Sequence, residues 1–568
     1  MRGRWRSPAQ ASRVLLLARA VLFAVGAMSA LFLWREIQNY LLYFGLYHDD
    51  AVYMVLGKAL SSGHGYHLIS IPGEIPETKY PIGLPLLLAF MWKLFPTFPD
   101  NLFAIATVQS TVAVAALFAV MTYLYKTGKV SLLLALTIAS ATLVNSTFLD
   151  VAPMILSDYA CLLSAMLALW LTERVAKKGT ISNAIWLGPA LALPVLLRWQ
   201  GLAAILAAIV YLGCHKRYRL AVAVLAGCLV ILLPQVLWVA LKESAIPGML
   251  SYYASYFPRT ADFELSPGKF LHVFTRSFAW NSSLQLSVAF PFLPSEYKPD
   301  VAANTKVVNI ALGSALGIVA FVGALVELRR VSLPIIYCAF YASPIFIWPV
   351  MLEPRQLGPA LPLAYLVFFR GFRTFARWLK RLVPVRRSLY RRFCASLAVG
   401  LAIYLVLGLS AQSLRRIATY AEAKDPEAPS FLSLVSNSQY RQAVSWIIQH
   451  TNKTDVFISN NDALLFLYTG RQAMQAWRID LFYAVRTRLP YASALEAIEY
   501  SNAKYIIDDS MFRGFGAMIS PVSWLVATLH ARYPGSVVPV FSSSGGLITI
   551  FAIDSRWLPE RSGRKPRL

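Results

Sequence analysis

Acidic residues are scarce in this chain. Its 568 residues include 28 Asp and Glu against 53 Lys and Arg, and charged residues of all kinds make up only 14%. So little charge cannot cover the surface of a water-soluble protein of this length, which excludes a soluble enzyme or a solvated scaffold. Cysteine is sparse too: the five, at 161, 214, 228, 338 and 394, show no short paired spacing, so neither a zinc site nor a disulfide framework is indicated. Internal repeats and low-complexity segments are lacking, which counts against a transporter built from inverted halves. A cleavage pattern of small residues is missing after the basic residues 1–6, so the apolar run 14–34 reads as an uncleaved first span, with Arg19 snorkelling to the interface.

What is abundant is apolar: hydrophobic residues reach 57% and the mean hydropathy is +0.55. Further runs of spanning length lie at 103–125, 130–148, 155–172, 220–241, 307–327, 332–352 and 394–411, with a short one at 356–369. Residues 181–213 form either one long helix or two short ones broken at Arg198-Trp199-Gln200-Gly201. The distribution of charge decides between them. With two crossings, every basic cluster falls on one side, including 370–392, which holds nine Lys or Arg and no acid. Cytoplasmic loops carry that excess, so the net charge of +25 reflects membrane topology rather than nucleic acid.

The expected architecture is therefore mainly α, a polytopic membrane protein with about eleven transmembrane helices over 1–411 and the N-terminus inside. A soluble extracytoplasmic α/β domain follows over 412–568. Outer loops are expected at 35–85 and 242–306, and the second is rich in Tyr, Phe, Trp and Pro. Within the first, 51–60 and 84–94 read as helices lying along the interface. In the tail, 440–450 reads as an amphipathic helix, and 455–459, 505–508 and 547–551 as strands.

Two adjacent carboxylates at a membrane mouth, Asp49 and Asp50, are the principal candidates for chemistry. The structural alternative is that they cap the helix starting near Ala51. A transferase that moves a sugar off a phosphate needs a carboxylate to activate or orient the acceptor. Carboxylates also supply hard oxygen ligands, and Asp49 and Asp158 are the pair available to a divalent metal cation. Lys79, within Lys79-Tyr80-Pro81-Ile82-Gly83, is either an interfacial anchor or a cation for a departing phosphate. Asp158, after Ser157, begins a membrane helix from the outer side, with Asp150 a weaker alternative. Arg198 and Arg355 are outward arginines suited to bidentate phosphate binding; the alternatives are interface anchoring for Arg198 and a local pair with Glu353 for Arg355. His48 and His64 lack a second metal ligand at helical spacing. The sequons at Asn145, Asn281 and Asn452 carry meaning only in a eukaryotic secretory pathway.

In order and topology these motifs resemble the GT-C integral-membrane glycosyltransferases, the branch of the lipid A aminoarabinose transferases and protein O-mannosyltransferases. The resemblance covers roughly 14–410. It rests on Asp49-Asp50 with Tyr53 three residues after the doublet, on Gly63-His64-Gly65-Tyr66, and on Lys79-Tyr80-Pro81-Ile82-Gly83. It also rests on Asp158 and on Arg355 with Pro359 and Pro362. Ile82 replaces a usual proline and Asp50 a common glutamate. The resemblance implies a polyprenyl- or dolichyl-phosphate-linked sugar donor and a lipid, glycan or protein acceptor. In it Asp49 is the leading catalytic carboxylate with Asp158 its partner, while Lys79 and Arg355 handle phosphate and Tyr53, Tyr80 and Arg198 line the donor site. The rival readings are a flippase for a lipid-linked substrate and a non-catalytic assembly subunit.

Overall fold

The computed structural model describes residues 29–40, 48–127, 130–247, 250–255, 303–347, 354–382, 438–475, 491–509 and 521–554, with a few isolated positions besides. Much of the expected first span, the aromatic loop beyond Ser255 and the expected span 394–411 lie largely outside the described residues. The chain divides into two compact units.

The first unit comprises 1–38, 106–233 and 268–418. Its helices begin with α4 (Asn101–Lys126), which enters from the second unit, followed by α5 (Leu132–Leu143), α6 (Ser146–Val151) and α7 (Asp158–Lys178). Asn145 starts α6 by accepting from the N–H groups of Thr147 and Phe148 at 2.9 and 3.3 Å, which meets two of the four orphan donors of a helix start. Next come α8 (Ile181–Leu197), a 3-10 turn Trp199–Gly201, α9 (Leu202–Cys214) and α10 (Tyr218–Lys242). The two-helix reading of 181–213 is thus the observed one. Arg198 is extended at φ −159°, ψ 135°, and Gly201 gives the tight turn its room, since a Cβ there would run into the Pro194 backbone.

Among the described residues three helices are long and apolar enough to cross a membrane: Asn101–Lys126, Asp158–Lys178 and Tyr218–Ala245. Shorter apolar helices among the described residues include Ile181–Leu197, Trp199–Cys214 and Leu333–Phe346. The expected short span at 356–369 differs in form. It begins as a 3-10 turn, Pro354–Ala360, then runs as one helix, Leu361–Leu382, whose apolar half passes straight into the basic run. Glu327 anchors that transition, lying 3.3 Å from Arg370 Nε and 3.3 Å from Arg330.

The second unit joins 39–105, 234–267 and 419–568. Here α2 (Asp49–Ser61) was expected to lie on the interface, and instead nine of its residues from Asp50 to Ala59 are buried. The reason is close packing: Gly57 admits Leu88 of α3 (Gly83–Leu94), where a Cβ would come within 2.6 Å. The α3 helix keeps an exposed apolar stripe, Leu86, Phe90 and Leu94. Between α2 and α3 a two-residue ribbon pairs β1 (His67–Leu68) with β2 (Ile75–Pro76). The C-terminal part forms a five-stranded sheet in which β3 (Phe457–Ile458) is parallel to β4 (Ala473–Met474) and β5 (Tyr505–Asp509). Antiparallel β7 (Ile548–Ile553) and edge strand β6 (Val537–Ser542) complete it, giving the order β4-β3-β5-β7-β6. Helices Ser438–His450, Asp462–Thr469, Tyr491–Ser501 and Pro521–Arg532 accompany the sheet. Gln439 closes the β6–β7 turn, its Oε1 accepting from Ser543 Oγ and from the N–H groups of Gly545 and Leu547.

Candidate active site

The candidate side chains fall into two groups, one in each unit. In the second unit the aspartate doublet divides. Asp49 is part-buried, and its Oδ1 accepts a 2.5 Å hydrogen bond from the Tyr80 hydroxyl. Asp50 is fully buried; its Oδ2 accepts from Gly45 N–H at 2.9 Å and Tyr40 OH at 3.2 Å, and its Oδ1 from Ala51 N–H at 2.9 Å. Burial pushes the Asp50 carboxyl up to about 6, with the Gly45, Ala51 and Tyr40 donors opposing and Asp49 adding to the rise. Adjacent positions on a helix point about 100° apart, which gives one carboxylate a structural setting and leaves the other the outward one.

Lys79 is 6% exposed, an uncommon burial for an ammonium. Burial lowers its basicity, and Asp49, Glu77 and Asp462 together pull the other way. Glu77 is wholly buried, and its carboxyl is raised by that burial. Its Oε1 accepts from Lys79 N–H at 2.5 Å and Tyr80 N–H at 2.8 Å, so the acid shapes the turn that carries both residues. Three more bonds lock this turn: Tyr66 OH to Tyr80 C=O, Trp238 Nε1–H to Glu77 C=O, each 2.7 Å, and Thr78 Oγ1 to Ala254 C=O at 2.7 Å. Tyr53 is buried with its ring 4.9 Å from that of Tyr80. Tyr80 thus contacts Asp49, Tyr53 and Lys79.

In the first unit Asp158 opens α7 with its side chain at 0% exposure, and Arg198 Nη1 donates to its Oδ2 at 2.9 Å. Arg198 Nη2 also donates to Gln356 Oε1, and the Gln356 carbonyl accepts from Tyr341 OH at 3.3 Å. Asp158 Oδ1, buried, has no hydrogen-bond partner among the described residues. Arg355, next to Gln356, is 6% exposed, and Glu353, its expected local partner, lies outside the described residues. Asp150 is buried as well. Asp158 lies in the first turn of α7, after the N-cap Ser157, which makes no side-chain cap bond.

His64 pairs with Glu74 at 3.1 Å on the surface, and His48 with Asp462 at 2.7 Å. No cluster of three or more His, Cys, Asp or Glu suited to a metal occurs among the described residues. Sequence reasoning passed over Glu77, Asp462, Tyr253, Gln356 and Gln475. Glu77 was in view only as a neighbour of Lys79, and no local signal marks Asp462.

No family model and no curated protein matches the sequence. Among solved structures the chain is similar to the archaeal oligosaccharyltransferase AglB from Archaeoglobus fulgidus in complex with an inhibitory peptide and a dolichol-phosphate. That likeness has 15% identity and a TM-score of 0.48 over 96% of this chain and 75% of that one. It is also similar to ArnT from Cupriavidus metallidurans in the apo state, with 11% identity and a TM-score of 0.48 over 97% of this chain and 100% of that one. For ArnT bound to undecaprenyl phosphate the values are 12% and 0.48, over 95% and 99%.

Proposed function

We propose that the chain is an inverting glycosyltransferase that moves a sugar from a polyprenyl- or dolichyl-phosphate to a lipid, glycan or protein acceptor on the outer face of a membrane. One observation carries this reading. A part-buried carboxylate, Asp49, is held by a phenol at 2.5 Å beside a buried lysine whose charge it offsets. A carboxylate with a fixed orientation next to a desolvated cation suits a reaction that takes a proton from one oxygen while negative charge grows on another.

The acceptor oxygen attacks the anomeric carbon as the bond from that carbon to the phosphate oxygen breaks, so configuration inverts in one step. The acceptor proton passes to Asp49, and the released phosphate takes the electron pair. Lys79 offsets the charge that accumulates on it. Arg198 and Arg355 are assigned to phosphate as well, since guanidinium matches its oxygens in bidentate geometry. Asp158 holds the Arg198 fork and keeps Oδ1 to orient a sugar hydroxyl.

The same reading takes about eleven spans over 1–411, the N-terminus cytoplasmic, and 412–568 outside, in a bacterial inner membrane. Mass spectrometry of cell-envelope lipids and glycans, from cells with and without the protein, tests it. A glycosylated product present with the wild-type chain and lost with Asp49→Asn is expected. Undiminished product with Asp49→Asn refutes the catalytic assignment.

A further inference from the structure

The segment that presents Asp49 starts from strained backbone. His48 sits at φ 58°, ψ −48°, near the γ-turn region at positive φ that residues with a side chain rarely occupy. Gly45, three residues before it, has φ 88°. Backbone of this kind persists only where its surroundings over-determine it. Two adjacent residues of the C-terminal segment, at the head of helix Asp462–Thr469, do so. Asn461 Nδ2 donates to the Gly45 carbonyl at 2.5 Å, and Asp462 Oδ1 lies 2.7 Å from His48 Nε2. From the same helix Leu464 packs onto Gly45, leaving no room for a Cβ, which would come within 2.7 Å of Leu464 Cδ1. The segment's own bonds include those from His48 N–H to Gly45 C=O at 3.1 Å, from Val52 N–H to His48 C=O at 3.0 Å and from Gly45 N–H to Asp50 Oδ2 at 2.9 Å.

Asp462 is itself fixed. Its side chain is 1% exposed, its Oδ2 accepts from Tyr253 OH at 3.0 Å, and its Oδ1 accepts from Gln475 Nε2 at 3.2 Å. The Gln475 N–H in turn donates to Tyr253 OH at 2.9 Å. A buried carboxylate with this many donors has one geometry, and it transmits that geometry to His48.

We propose that Asp462 is a positioning residue for sugar transfer: acting through His48, it sets the backbone from which Asp49 is aimed. This rests on the assignment of Asp49 made above. A misplacement of about 1 Å in a reacting group lowers a rate by roughly 100-fold, so Asp462→Asn is expected to slow transfer about 10- to 100-fold.

The test uses the full chain in native-membrane vesicles. Its readout is the product that appears with the wild-type chain and disappears with Asp49→Asn, taken as a rate per folded molecule. Glycine reaches a positive φ without steric strain, so at position 48 it needs no clasp. In a His48→Gly background, Asp462→Asn is therefore expected to lower the rate by less than threefold, because the two changes act along one path. Three results overturn the proposal. One is an Asp462→Asn enzyme within threefold of wild type, and another is a His48→Gly background in which Asp462→Asn still loses tenfold or more. The third is a loss by Asp462→Asn fully explained by a lower melting temperature, which Asp462→Glu then shares. Persistence of the product in Asp49→Asn would instead refute the transferase reading itself.

Discussion

Neighbouring aspartates with opposite surroundings should separate cleanly under the same substitution. Asp50 is the more quantitative of the two. In the unfolded chain its carboxyl titrates near 3.8, and in the folded protein burial holds it at about 6. At about 1.4 kcal/mol for each factor of ten in acidity, the gap amounts to about 3 kcal/mol. The native state binds the proton more tightly, so this contribution to stability is fully present below pH 3.8 and declines as the pH rises to about 6. Asp50→Asn removes the titration, while every other group is shared by the two chains and cancels in their difference. The variant should therefore gain about 3 kcal/mol relative to wild type between pH 3.5 and 7, which for a chain of 568 residues is roughly 2–3 °C in the gap between their melting temperatures. Thermal melts of both proteins in nanodiscs across that range read it out. A gap that stays flat, or that moves toward wild type as pH rises, refutes the account of Asp50 as a buried carboxylate. Asp49→Asn, by contrast, should leave melting within about 1 kcal/mol of wild type and lower transfer by roughly 10²- to 10⁴-fold.

Lys79→Met should slow transfer by roughly 10²- to 10³-fold, measured as product per folded molecule, since it removes the cation beside the departing phosphate. A rate within threefold of wild type would count against that role. Arg198→Ala leaves the Asp158 carboxylate buried and uncompensated, so a loss of about 3–5 kcal/mol is expected by melting, with Asp158→Asn/Arg198→Gln recovering part of it. A topology reporter fused after Gln412 should report the outer side, and an inside signal would overturn the orientation read from the basic clusters.

Where the chain's physics is local, its pattern was readable. The break at Arg198 followed from keeping all basic clusters on one side, and the helix ends at Leu197 and resumes at Leu202. Strands β3, β5 and β7 showed as short β-branched and aromatic runs. Strand β6 did not, because Pro539 interrupts it; the proline is tolerated at an edge strand where the register shifts between Pro539 and Phe541. Strand β4 has two residues, too few for a period to show. Near the candidate site, the sequence placed Asp49, Tyr53, Lys79 and Tyr80 within one short stretch, from the start of α2 to just before α3. Which aspartate turns outward was not legible, since that depends on Tyr40 and Gly45 claiming Asp50. The His48–Asp462 pair spans 414 residues, and no spacing rule reaches that far.

That separation also orders events during synthesis. Gly45 and His48 leave the ribosome early and Asn461 and Asp462 late, so the acid at position 49 is made long before the side chains that clasp its loop. A nascent or prematurely terminated chain would carry the doublet without its fastening.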